Sequence, residues 1–103
     1  MDVYILGTKY TVIDMPDNDE CDGFCDTSIK QIKIAEFKDD GHWRNKGNLE
    51  YAKKKTLRHE IIHAFMYESG IDTEPVDGDE RFVDWLAIQS PKLWQAFVES
   101  NAI

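Results

Sequence analysis

The chain of 103 residues carries twenty acids against twelve bases, for a formal charge of −8 and a pI near 4.7. That length supports one domain, residues 1–103, with a modest core. An acidic surface repels phosphate backbones and no apolar run approaches the ~20 residues that span a bilayer, so neither nucleic acid nor a membrane is an expected partner.

The first residues, Met1 to Ile5, lack the basic start and apolar middle of a signal peptide, so a cytoplasmic setting is expected. Val3 to Leu6 and Tyr10 to Ile13, parted by Gly7 and Thr8, read as a β-hairpin. Asp14 to Asp22 is acidic, holds Pro16 and reads as a loop. Gly23 to Asp26 and Gln31 to Ala35, about a Thr27-Ser28 turn, form a second strand pair. In its second strand Ile32 and Ile34 alternate with Gln31, Lys33 and Ala35. Cys21 and Cys25, if on one extended strand, lie ~13 Å apart, beyond disulfide reach, although a turn at Gly23 could shorten this. Two thiols cannot complete a four-ligand structural zinc site, and reduced structural thiols are expected. Lys38 to Asn48 is an exposed connection containing His42.

The second half reads as helical. From Leu49 to Ser69 apolar residues recur at helical spacing (Ala52, Leu57, Ile61, Ala64, Phe65), with Asn48 as N-cap and Gly70 at the C-terminus. Lys53, Lys54 and Lys55 read as its solvated face. After a loop through Thr73, Glu74 and Pro75, Asp77 or Asp79 caps a helix to about Gln89. Ser90 and Pro91 then start a last helix carrying Leu93, Trp94, Phe97 and Val98. Trp43, Trp85 and Trp94 are expected in the core or a groove. Strands followed by helices predict an α+β fold: a small antiparallel sheet packed on the first helix, with two further helices.

The first helix contains His59-Glu60-Ile61-Ile62-His63. At ~100° per residue the two histidines fall about 40° apart on one face and about 6 Å apart along the axis. Two imidazoles so placed can each offer a nitrogen to one Zn²⁺. Glu60 lies within the same arc, where it can take a proton from a metal-activated water and pass it to a leaving amine. A catalytic zinc needs a third ligand. His42 is the remaining histidine but precedes the helix in a polar loop. Glu80 and Asp84 share one stripe of the next helix, continuing onto Ala87 and Ile88, so they face protein and need a cation or donors. Glu80 is the favoured ligand, with Asp84 accepting a hydrogen bond from a ligating imidazole; Asp84 or Asp79 is the replacement ligand. Arg58, Arg81, Tyr51 and Tyr67 are candidates for stabilising an oxyanion. Phe24 to Asp26, or Ile32 to Ala35, could form an edge strand that pairs with an extended peptide.

HEIIH followed on a later helix by Glu80 and Asp84 resembles the gluzincin arrangement of thermolysin-type enzymes, and the run from Glu80 to Ala87 is similar to that of ImmA/IrrE-type peptidases. With CDGFCD, LRHEIIHAF and DWLAIQSPKL, nearly the whole chain resembles small metallopeptidase-like proteins encoded by phages and prophages. The resemblance implies a minigluzincin-like domain that binds Zn²⁺ through His59, His63 and Glu80. It also implies peptide-bond hydrolysis with Glu60 as general base and a peptide or protein substrate. The alternatives are a metal-bound binding module with little turnover and a zinc hydrolase of a non-peptide amide. The chain departs from thermolysin-like enzymes in its short gap between His63 and Glu80 and in having no Asn before Glu80.

Overall fold

A computed structural model of the chain describes residues 1–16, 21–36, 47–71 and 77–103, with side chains in the last segment from Glu80 onward. His42, Trp43, the loop at Thr73 to Pro75 and the side chain of Asp79 lie outside the described residues.

β1 (Asp2–Ile5) and β2 (Thr8–Met15) pair antiparallel with Ile5 opposite Thr8. The two-residue connection has φ of +49° at Leu6 and +86° at Gly7, the type I′ geometry whose twist suits a hairpin. β3 (Gly23–Asp26) and β4 (Gln31–Ala35) form the second antiparallel pair. Their turn is held by the Asp26 carboxylate, which accepts from the Ser28 N–H at 3.0 Å.

The sheet is mixed rather than wholly antiparallel. Its order is β1-β2-β4-β3, and β2 runs parallel to β4 with Val12 opposite Ile32. Each hairpin is specified by its own turn and alternation. How two hairpins join depends on where the chain crosses between them, which local patterning does not encode. The consequence is that β4 lies inside the sheet and β3 forms an edge.

α1 (Leu49–Glu68) packs on the sheet over a core of Ile5, Tyr10, Ile32, Ile34 and Ala64, joined by half-buried Leu57 and Ile61. The Asn48 side chain accepts from the Tyr51 N–H at 3.0 Å, and Gly70 takes a φ of +95° beyond the helix end. Ala35, expected on the outer face of β4, is buried. Phe65, expected inside, is half exposed. Near the C-terminus of α1, Glu68 accepts from Thr8 Oγ1 at 2.9 Å, Tyr10 Oη at 2.8 Å and Lys30 Nζ at 2.9 Å. Those donors hold the Glu68 carboxyl below its ordinary value, while burial and the adjacent carboxylate push the Tyr10 phenol up. The cluster ties the helix end to β2 and to the turn before β4.

α2 (Asp77–Glu99) buries Val83 and Ala87 and packs on α1. It is one helix that runs straight through Pro91, so the chain has one helix beyond α1 among the described residues, where two were expected. A proline inside a helix removes the N–H that would serve the carbonyl four residues earlier, here that of Ala87. Arg58 Nε donates to that carbonyl at 2.6 Å, supplying the missing donor from α1. Past Pro91 the helix is exposed on all sides, and Leu93, Trp94, Phe97 and Val98 are uncovered. Trp85 and Trp94 are therefore surface residues, Trp85 stacking on Phe82 with ring centroids 6.2 Å apart. No described helix is long and apolar enough to cross a membrane.

Candidate metal centre

His59 and His63 stand one turn apart on α1, with side chains only 14% and 16% exposed. Their rings are tilted by 60° at a centroid separation of 4.9 Å, and their Nε2 atoms meet at 3.2 Å. Glu80, in the first turn of described side chains on α2, closes the group. Its Oε2 lies 3.2 Å from His59 Nε2 and its Oε1 lies 2.6 Å from His63 Nε2.

This donor set fits a small divalent cation. Four-coordinate zinc with bonds of ~2.0–2.1 Å has ligand atoms about 3.3–3.4 Å apart. The two Nε2 atoms stand 3.2 Å apart, close to that spacing. A Glu80 oxygen lies 3.2 Å from His59 Nε2 and its other oxygen lies 2.6 Å from His63 Nε2, so Glu80 would draw back slightly to admit an ion. All three ligand atoms lie within 4.8 Å of one another. Asp84 Oδ1 approaches His59 Nδ1 at 3.5 Å, favouring the tautomer with its proton on Nδ1. That tautomer turns the Nε2 lone pair towards Glu80 and His63. Ring nitrogens and a carboxylate held this close need a shared proton or a cation among them. His59, His63 and Glu80 together can hold a metal ion.

Glu60, on the same helix, is only 7% exposed. Burial, reinforced by the charge on Glu80, pushes its carboxyl up to about 7. Glu60 lines a cleft of about 210 Å³ with His59, Glu80 and Asp84 on one side and Cys21, Asp22 and Gly23 on the other.

Of the sequence candidates, His59, Glu60, His63, Glu80 and Asp84 are thus brought to one place. The oxyanion candidates are not, since none of Arg58, Arg81, Tyr51 and Tyr67 lines the cleft. Arg58 is engaged with Ala87, and Tyr67 lies beneath the Lys30 ammonium, 4.8 Å from its ring centroid. Lys55 moves the other way. The Lys53–Lys55 run predicts a solvated face, yet Lys55 lines the cleft with its Nζ 3.5 Å from Asp84 Oδ1. Its place four residues before His59, on the histidine face, was the available signal. Thr56 and Gly23 complete the floor; only the tertiary contact between β3 and α1 reveals them. Cys25 is half-buried against the core, and its thiol is pushed up to about 12 by burial and by Glu60, which makes it inert. Cys21 and Cys25 are not joined in a disulfide.

Against protein-family models, curated proteins and solved structures, the chain finds no match.

Proposed function

We propose that the chain is a zinc-dependent peptidase of the gluzincin kind, as its likeness to phage-encoded and ImmA/IrrE-type peptidases suggests. The observation that carries this reading is the pairing of two features. Three ligand atoms able to hold one ion come together from two helices, and beside them Glu60, only 7% exposed, lines the same cleft with its carboxyl raised to about 7. Two imidazoles and one carboxylate are the donor set of a catalytic rather than a structural zinc, because they leave a coordination position open. Zinc bound there supplies Lewis acidity, polarising a carbonyl and acidifying water. Glu60 is the general base, accepting a proton on its carboxylate and delivering it to the leaving amine. Asp84 orients His59, and Lys55 shares the same Asp84 oxygen, Oδ1, which lies 3.5 Å from both His59 Nδ1 and Lys55 Nζ. β3 is the sheet edge next to the cleft, so an extended peptide can add to it and lie across Glu60.

The test is hydrolysis of a diverse peptide library by zinc-loaded protein, with and without chelator. Chelator-sensitive cleavage of peptide bonds supports the reading. Zinc binding with no cleavage would instead indicate a metal-bound binding module. Turnover confined to non-peptide amides would move the substrate class.

A further inference from the structure

Gly23 opens β3, and its α-carbon rests on α1 where Thr56 and Glu60 stand one helical turn apart. A β-carbon placed there would lie 2.8 Å from Thr56 Cγ2, 3.1 Å from Glu60 Cγ and 3.2 Å from Glu60 Oε2. The first distance is shorter than carbon atoms tolerate. Thr56 is buried, so packing leaves it little space to turn aside. The Gly23 backbone is not in the left-handed region, so any residue could adopt its conformation, and volume alone demands glycine.

We infer that Gly23 is a positioning residue for Glu60, an inference that rests on the peptidase reading above. Its bare α-carbon forms the wall against which the Glu60 carboxylate lies. That wall fixes the carboxylate beside His59 and Glu80 at the floor of the cleft. Because Gly23 also starts the edge strand, one contact sets both the base and the strand on which a peptide would add. Displacing a reacting group by about 1 Å can cost ~100-fold in rate, so a wall accurate to tenths of an ångström has catalytic consequence.

Gly23→Ala alone mixes two effects, because the Thr56 contact strains the whole strand–helix packing. Thr56→Ser deletes Cγ2 and relieves that contact while leaving both Glu60 contacts in place. The informative comparison is therefore Thr56→Ser against Gly23→Ala/Thr56→Ser, both loaded with zinc. In the double variant kcat should fall about 10-fold or more while KM stays within about 2-fold and zinc content is equal. Crystal structures of the pair should show the Glu60 carboxylate displaced by about 0.3 Å relative to the two Nε2 atoms, the shift that ordinary contact with the new β-carbon requires. An unmoved carboxylate overturns the inference, as does a displaced one with unchanged kcat, or a loss that falls on KM alone. If no variant, nor the unaltered protein, cleaves any peptide, the peptidase reading fails. The crystal pair then still decides whether Gly23 sets the position of Glu60.

Discussion

Arg58 Nε lies 2.6 Å from the carbonyl oxygen of Ala87, the acceptor that Pro91 leaves without its helical donor. One guanidinium therefore does two things: it lets α2 continue through a proline, and it pins α2 to α1 one residue before His59. This fixes the distance between the two helices that carry the candidate ligands His59, His63 and Glu80.

A hydrogen bond from a charged donor to a half-buried carbonyl contributes about 1.5–3 kcal/mol, so Arg58→Ala should destabilise by roughly that amount. In a Pro91→Ala background the Ala87 carbonyl regains its own N–H donor, and the same substitution should cost distinctly less. Urea unfolding of the four proteins in a double-mutant cycle measures the difference. Equal costs in both backgrounds would show that Arg58 acts only by packing.

The protein should bind about one zinc per chain, and His63→Ala should abolish stoichiometric binding. Glu80 presents both oxygens to the imidazoles, whereas Asp84 reaches only the far nitrogen of His59. Glu80→Ala should therefore weaken affinity by orders of magnitude and Asp84→Ala by about 10–100-fold. Competition with a chromogenic chelator ranks the two side by side; the reverse order would exchange their roles.

Glu60→Gln preserves size but cannot accept a proton. Zinc content should be unchanged and peptide hydrolysis should drop by at least ~100-fold. Metal analysis and initial rates on the same preparation check both halves, and a glutamine variant as active as its parent would remove Glu60 from the mechanism.

Glu68 sits at the other end of α1, and the donors Lys30, Tyr10 and Thr8 hold its carboxyl below the ordinary value. Because the folded value is the lower one, the stabilisation is present above the unfolded value of about 4.3. It is lost as pH falls through the folded value. Glu68→Gln should therefore lower Tm at pH 7, with the gap to the unaltered protein narrowing as pH falls below about 4. Calorimetry from pH 7 to 3 reads this directly. A gap as wide at pH 3 as at pH 7 would mean that the charged form is not what the cluster recognises.

The existence of the four strands and two hairpins, the bounds of β3, β4 and α1, and the residues His59, Glu60 and His63 were legible in the sequence. Each depends on interactions within a few residues: alternation, a glycine turn, an Asn48 cap, a single-turn spacing on one helix. The first turn, however, falls at Leu6-Gly7 rather than Gly7-Thr8, and β2 runs from Thr8 to Met15, into the expected loop. Glu80 and Asp84 were legible from their spacing on one stripe, but the expectation that this stripe is buried against protein fails: their side chains are 48% and 47% exposed, at the open rim of the cleft. The tertiary structure alone decided the parallel seam between β2 and β4 and hence which strand is an edge. It decided that α2 survives Pro91, because the compensating donor is an arginine on another helix. It also recruited Lys55 and Gly23 to the cleft: a solvated lysine run and a strand-opening glycine read as ordinary until β3 is laid on α1. In each case the deciding partner is distant in sequence, and no local period or propensity carries information about a partner that only folding brings near.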